Sequence, residues 1–112
     1  MQCAHSVQGI GLLCREVIIS LAQAVYNPTI HGDTDEDGTR IGSSDAVRML
    51  RNYINFALAG RDYKELRDYI KTENAIANQV THKRSATKKD KLLTMSSTIA
   101  SINFIGIIEG KF

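Results

Sequence analysis

We predict an all-α fold, an antiparallel up-down-up-down four-helix bundle forming one domain at 1–112, from three features of the sequence. Apolar residues recur at steps of three and four in four segments, which is the spacing of one face of a helix. Short connections join the last three segments, and helices joined in this way pack as antiparallel neighbours. Only 6% of the residues are aromatic and one is proline, which disfavours a turn-rich β fold. The predicted helices are roughly 6–26, 44–59, 63–83 and 88–109.

The first predicted helix is defined by its apolar stripe and by the proline that follows it. Pro28 has no N–H and disfavours helical geometry at the preceding residue, so the helix is expected to end before it. Three glycines and four acidic residues come next, so 29–43 are predicted to form an exposed acidic loop. The stripe consists of Val7, Ile10, Cys14, Val17, Leu21 and Ala24.

Residues that start and end helices set the limits of the second and third helices. Ser43 or Ser44 is placed to cap the second helix. Gly60 is placed to end it in the left-handed conformation. Asp62 followed by Glu65 is similar to a capping box, in which two side chains bond each other's backbone N–H groups, and this predicts the start of the third helix.

Thr87 with Asp90 predicts the start of the fourth helix in the same way. This helix is apolar nearly all round from Ile99 to Ile108, which is more apolar surface than one face of a bundle needs. Deep burial would account for the excess, and the alternative is a contact with a second copy or with another domain of a longer chain. The predicted interface residues are Ile102, Phe104, Ile105 and Ile108.

The net charge is only +2, but acidic residues are concentrated in the predicted loop. The segment 33–38 matches the first half of an EF-hand, where alternate carboxylates and a glycine at the sixth position let oxygen ligands surround a calcium ion. The second half departs from that pattern, because Ser44 stands where the bidentate glutamate belongs. A solvated loop without a metal is the main expectation, with Asp33, Asp35 and Asp37 as calcium candidates.

Basic residues cluster at the junction of the third and fourth helices. Lys83 and Arg84 close the third helix, where cations suit the helix dipole. Lys88, Lys89 and Lys91 lie in the first turn of the fourth helix, which is the positive end of the dipole. Free N–H groups together with lysines form an anion site, which predicts a phosphate of RNA, DNA or a nucleotide as the ligand. The other interpretation is a solvated turn that its lysines keep soluble.

Asn78 and His82 lie four residues apart and therefore on one face near the end of the third helix. A histidine at such a place usually caps the helix or lies in an interface. The catalytic interpretation makes His82 the base of a nuclease beside the basic junction. The rest of the sequence contains no paired carboxylates and no convincing spacing of a nucleophile and a base. We therefore predict a protein that is not an enzyme and needs no cofactor.

The cysteines and the hydropathy pattern bear on localisation. Cys3 and Cys14 are too few for a disulfide framework, which favours a reducing compartment. No run of 18 uncharged apolar residues occurs, and 1–8 lack the basic start of a signal peptide. We expect a soluble cytoplasmic protein with no membrane partner.

Five segments spread over most of the chain stand out as a set: Cys14-Arg15-Glu16, Leu21-Ala22-Gln23-Ala24-Val25-Tyr26, Asp45-Ala46-Val47-Arg48-Met49-Leu50, Leu66-Arg67-Asp68-Tyr69 and Thr81-His82-Lys83-Arg84-Ser85-Ala86-Thr87. The set resembles an uncharacterised all-helical domain found towards the C-terminus of bacterial proteins, some of which are suspected of roles in phage defence. The resemblance implies an all-helical fold and a longer parent protein.

The predicted bundle with Asn78 and His82 is also similar, at a distance, to HEPN domains, which are helical nucleotide-binding and ribonuclease modules of prokaryotic defence systems. Their motif places an arginine four to six residues before the catalytic histidine. Here Ala77 occupies that region, and Arg84 follows the histidine instead. The resemblance implies RNA or nucleotide binding at the basic junction, with a degenerate ribonuclease as its enzymatic form.

Two functions therefore follow from the sequence. The first is a non-enzymatic helical interaction or dimerisation module of a bacterial protein, acting as a homodimer or docking to another domain of its parent chain. The alternative is a HEPN-like domain that binds RNA or a nucleotide through Lys83, Arg84, Lys88 and Lys89.

Overall fold

The computed structural model describes residues 3–79 and 87–111, and within these ranges its regular secondary structure is helical. The all-α prediction is confirmed. The helices are α1 (Cys3–Val25), α2 (Pro28–His31), α3 (Ala46–Ala57), α4 (Lys64–Gln79) and α5 (Lys88–Ile108). A single turn of 3-10 helix, Arg61–Tyr63, leads directly into α4.

Pro28 ends one helix and begins another. Helix α1 stops at Val25, as the proline predicts, but Pro28 then occupies the first turn of the four-residue helix α2. The fixed φ of proline suits that position, where its missing N–H has no helical partner in any case. The Oδ1 atom of Asn27 caps α2 by accepting the N–H of Thr29 at 2.9 Å. The prediction that 29–43 form only loop is therefore wrong over its first residues.

The limits of α3 differ from those predicted at both ends. Asp45 and not Ser43 or Ser44 is the N-cap residue, and its side chain makes no capping bond but pairs with Arg48 one turn later. At the other end, the C-cap is Leu58. Gly60 does have a positive φ of 113°, but it lies beyond the cap, where the chain turns into the 3-10 segment.

The capping boxes predicted at the starts of the last two helices have opposite outcomes. The box predicted for Asp62 and Glu65 is wrong, because the chain there is already coiled in the 3-10 turn. The box predicted for Thr87 and Asp90 is confirmed, with both reciprocal hydrogen bonds present. The predicted end of the third helix, at residue 83, lies outside the described residues.

The core is built from α1, α3, α4 and α5. Helix α4 packs against α3 and α5, and α1 contacts all three. Two contacts set the direction of α4 against α5: Tyr69 meets Phe104 edge to face, and Ser97 bonds Glu73, so the two helices are antiparallel. The buried apolar residues are Ile18 and Ala22 of α1, Ala46, Met49, Leu50, Tyr53 and Ile54 of α3, Ile70 and Ala77 of α4, and Ile105 of α5.

Helix α5 buries hydroxyl groups and exposes apolar side chains. Apart from Ile105, its buried residues are Thr94, Ser97, Thr98 and Ser101. Two of these hydroxyls bond the carbonyl four residues back, Thr98 to Thr94 at 2.8 Å and Ser101 to Ser97 at 2.9 Å, which satisfies them inside the helix. Small side chains on this face let α5 lie close to its neighbours. Most of the leucine and isoleucine residues of α5 are left exposed: Leu92, Leu93, Ile99, Ile102 and Ile107.

By length and composition, α5 is long and apolar enough to cross a bilayer, and it is the one such helix in the described part of the chain. This is weak evidence for a membrane span, since a helix packed in a globular protein passes the same test. Here α5 lies against α1 and α4.

Candidate functional site

An exposed apolar groove lies where α1 and α5 meet. A groove of about 170 Å³ runs between the two helices and has no exposed polar surface in its lining. Leu13 of α1 is 60% exposed at its edge, and Ile99 of α5 is 55% exposed opposite. An exposed apolar groove of this kind is a candidate contact surface for another molecule. The lining residues are Leu13, Cys14, Val17, Met95, Thr98, Ile99 and Ile102.

Of the four interface residues predicted on α5, the structure leaves one well exposed. Ile102 is 37% exposed and lines the groove. Ile105 is 1% exposed and belongs to the core, so its assignment to a surface is wrong. Phe104 and Ile108 are half-buried and pack against that core, and the ring of Phe104 meets Tyr69 at 5.6 Å. The predicted surplus of apolar surface is present on α5, but other residues carry it.

Those other residues form a stripe along the outside of α5, which we call the outer stripe: Leu92, Ser96, Ile99, Asn103 and Ile107, all exposed. Their spacing of four, three, four and four residues keeps them on one helical face. The sequence prediction selected other residues for this face because hydropathy alone does not show which side of an apolar helix is buried. The signal that identifies it is the hydroxyl series at 94, 97, 98 and 101, which marks the opposite side of the helix as buried.

The basic start of α5 is less open to an anion than the sequence suggests. Lys88 and Lys89 are exposed and Lys91 is half-buried. The N–H of Asp90 already donates to Thr87 Oγ1 at 3.2 Å, and the N–H of Thr87 donates to Asp90 Oδ2 at 3.0 Å. The capping box therefore uses N–H groups that the anion site needs, and it adds a carboxylate beside the lysines.

The other residues of the predicted nucleic-acid site are only partly covered by the structure. Asn78 lies near the end of α4 and is half-buried. His82, Lys83 and Arg84 lie outside the described residues. The catalytic pairing of Asn78 with His82 and the basic junction as a whole stay predictions.

The acidic loop is a folded turn in which Asp35 has a structural role. Asp35 Oδ1 accepts the N–H groups of Asp37 at 2.9 Å and Thr39 at 3.0 Å. Asp35 Oδ2 pairs with Arg48 Nε at 3.0 Å, and Arg48 also holds Asp45. The hydrogen bond from Thr39, with that from Asp37 and the charge of Arg48, holds the pKa of Asp35 below its usual value, against the opposing effect of burial. Both oxygens of this carboxylate are thus used by protein donors.

Asp33 and Asp37, the other two calcium candidates, are exposed on the same turn. Within 3–79 and 87–111, no three His, Cys, Asp or Glu side chains come together in a way that could hold a metal ion.

Asn52 of α3 anchors the loop, a role that the sequence gives no sign of. Its Nδ2 atom donates to the carbonyl oxygens of His31 at 3.2 Å, Gly32 at 3.3 Å and Thr34 at 2.8 Å. The amide is nearly buried, and these backbone carbonyls satisfy its N–H donors. Residues 31–34 are thereby held against α3.

His31 lies among aromatic rings beside this anchor. It stacks on Tyr26 at 5.9 Å and meets Tyr53 and Phe56 edge-on at 5.3 and 5.2 Å. Its Nδ1 atom accepts the N–H of Asn27 at 2.9 Å, which fixes the neutral ring with the proton on Nε2. Burial lowers the pKa of His31, and the charge of Glu109 opposes this effect.

Comparison with protein-family models, with curated proteins and with solved structures gives no match to this chain.

Proposed function

We propose that this chain is a non-enzymatic helical interaction module that forms homodimers through the apolar face shared by α1 and α5. The observation that carries the proposal is the inverted pattern of α5, with hydroxyls inside and leucine and isoleucine outside. Removing exposed apolar surface from water stabilises an association by about 25 cal/mol per Å². A second copy supplies a surface of the same chemistry, as a two-fold interface requires.

The proposal extends to the setting of this module. The resemblance to domains of bacterial proteins and the scarcity of cysteine support a cytoplasmic bacterial protein. Helices α1, α3, α4 and α5 are proposed to form the antiparallel up-down-up-down bundle, supported by the contacts of α4 with α3 and α5 and of α1 with both. An experimental structure with two of these neighbours parallel would contradict the bundle.

The dimer is tested by light scattering of purified chain. The expected mass is twice 12.4 kDa for the natural sequence. Ile99→Asp places a charge on the apolar face and is expected to give the monomer. Ile30→Asp is the matched control, because Ile30 of α2 is 53% exposed but lies away from this face. It should stay dimeric and show the same helicity.

Two results would overturn the proposal. One is a monomeric mass for the natural chain at the highest soluble concentration. The other is a monomer that sediments with phospholipid vesicles and loses this binding in Ile99→Asp, because the apolar face would then contact lipid.

The alternative is HEPN-like binding of RNA or a nucleotide, with the degenerate ribonuclease as its enzymatic form. The observation in its favour is the exposure of Lys88 and Lys89 at the start of α5. Its test is the anisotropy of a labelled single-stranded RNA, where Lys88→Ala with Lys89→Ala should weaken binding and flatten its salt dependence. Equal affinity of both proteins would contradict it. For the nuclease, His82→Ala should abolish RNA cleavage, and unchanged cleavage would point to another site or to contamination.

A further inference from the structure

The order of residues along the outer stripe of α5 is nearly the same in both directions. Read from the start of the helix, the chemistry is apolar at Leu92, polar at Ser96, apolar at Ile99, polar at Asn103 and apolar at Ile107. Leu92 lies seven residues before Ile99, and Ile107 lies eight after it. A stripe with this symmetry is complementary to a reversed copy of itself.

A two-fold axis beside Ile99 uses this symmetry. In an antiparallel pair of α5 helices, Leu92 of one copy faces Ile107 of the other, and the two Ile99 side chains meet near the axis. Ser96 then faces Asn103 of the second copy, where the hydroxyl can donate to the amide oxygen. Polar groups thus meet polar groups and apolar groups meet apolar groups at every level. In a parallel pair, Ser96 would instead face Ser96 and Asn103 would face Asn103, so no hydroxyl would meet an amide.

The charges of α5 favour the same direction. Lys88 and Lys89 lie at its first turn, where the positive end of the helix dipole makes two exposed ammonium groups unfavourable. An antiparallel second copy brings the negative end of its own α5 dipole to the level of these lysines. Lys111 lies at that level too, and Glu109 is bonded to Tyr53 of its own chain, so the favourable contribution comes from the dipole. In a parallel pair the four lysines would lie together. The antiparallel arrangement therefore sets the two helix dipoles in opposite directions and avoids the cluster of four lysines.

We propose that the occupant of the outer stripe is α5 of a second copy, antiparallel about a two-fold axis at Ile99, with Ser96 and Asn103 fixing the register. This inference rests on the proposed homodimer and specifies its geometry. A polar pair within an apolar helix contact sets register because any shift leaves the buried hydroxyl and amide without partners.

Disulfide cross-linking tests the geometry directly. In a background of Cys3→Ser and Cys14→Ala, three chains are compared: Ser96→Cys alone, Asn103→Cys alone, and both together. Facing residues of packed helices have Cα atoms about 4–6 Å apart, within the range of a disulfide. Ser96 and the Ser96 of a second copy would be offset by seven residues, about 10 Å along the helices, which is too far.

The expected result is a covalent dimer for the double variant on mild oxidation, with each single variant staying at the monomer band. Light scattering of the same samples under reducing conditions separates two kinds of failure. A dimer in which Ser96→Cys alone cross-links as well as the double variant is parallel, and a dimer in which no variant cross-links uses another surface. Either result would contradict this geometry but would still support the proposed homodimer. A monomer in every sample, with the helicity of the natural chain, overturns both.

Discussion

The hydroxyl of Tyr53 donates a 2.6 Å hydrogen bond to Glu109 Oε2, which joins the middle of α3 to the C-cap of α5 across 56 positions of the chain. The ring of Tyr53 is nearly fully buried, whereas Glu109 is exposed. This bond fixes the end of α5 against α3 and places a charged acceptor on a buried phenol.

Tyr53→Phe should lower the free energy of unfolding by about 1 kcal/mol, because it removes a hydrogen bond to a charged group and leaves the ring in place. Urea denaturation followed by circular dichroism measures the change. Tyr63→Phe is the control, since Tyr63 is 48% exposed and should shift stability by less than about 0.5 kcal/mol. Equal effects of the two variants would show that the bond to Glu109 contributes nothing.

The same bond predicts an alkaline dependence. Burial, together with the hydrogen bond and the charge of Glu109, raises the pKa of Tyr53 well above 10.0. Because the folded protein favours the neutral phenol, this contribution to stability is complete below pH 10 and is lost as the pH rises towards the folded pKa. Melting temperature from pH 8 to 11 should fall more steeply for the natural chain than for Tyr53→Phe. Parallel curves would contradict the prediction.

His31 predicts a dependence near neutral pH with the opposite sign. Since its pKa is lowered in the folded protein by burial, the neutral ring stabilises the fold above pH 6.5, and this is lost as the pH falls through the folded pKa. Melting temperature should therefore drop between pH 7 and 5. His31→Asn keeps an acceptor for the N–H of Asn27 without an ionisable ring, so its curve should be flatter. A drop of the same size in that variant would assign the effect to other groups.

The hydrogen bonds that Asp35 accepts from the N–H groups of Thr39 and Asp37, together with its ion pair with Arg48, predict sensitivity to acid at lower pH. The lowered pKa of Asp35 means that its contribution is complete above pH 3.8 and is lost as the pH falls through the folded value. Asp35→Ala should lower the melting temperature at pH 7 more than Asp35→Asn, because asparagine still offers an oxygen to the N–H groups of Asp37 and Thr39. Asp37→Asn, an exposed neighbour, is expected to leave it unchanged. Equal loss in the two Asp35 variants would mean that the ion pair is the dominant interaction.

Thr94 predicts a stabilising substitution. Its hydroxyl is fully buried and, in the described part of the chain, makes no hydrogen bond, like the amide of Asn74. Thr94→Val keeps the shape and removes the unsatisfied group, so the free energy of unfolding should rise by about 1 kcal/mol. Thr98→Val is the matched control, because it deletes a hydroxyl that donates to the carbonyl of Thr94 and should not stabilise. A loss of stability in Thr94→Val would show that this hydroxyl has a partner in solution.

Local signals in the sequence predicted local structure. The box of Thr87 and Asp90 depends on residues three positions apart, and Pro28 acts on its immediate neighbours, so both effects are visible without the fold. Other contacts depend on how the helices and the loop pack, such as Asp35 with Arg48 and Tyr53 with Glu109. No local pattern in the sequence predicts them.

The apolar face of α5 shows why a correct composition argument can select the wrong residues. The excess of apolar side chains in this helix is visible in the sequence, but the direction of the face depends on which side the other helices cover. Ile105 lies inward with the hydroxyl residues, and Ile99 lies outward. A hydrophobic pattern identifies the buried side of a helix only when polar residues are absent from that side. Helix α5 departs from this rule because hydroxyl residues occupy most of its buried side.

The anchor made by Asn52 has a consequence for how freely this protein can vary. Its amide bonds three main-chain carbonyls and no side chain of the loop, so this anchor does not depend on the side chain at the exposed position 34. Engineered diversity can therefore be placed at exposed positions of this loop such as Thr34, while Asn52 and the turn held by Asp35 keep its course. A library built on these terms would keep Asn52, His31, Gly32 and Asp35 fixed and vary the exposed positions between and around them.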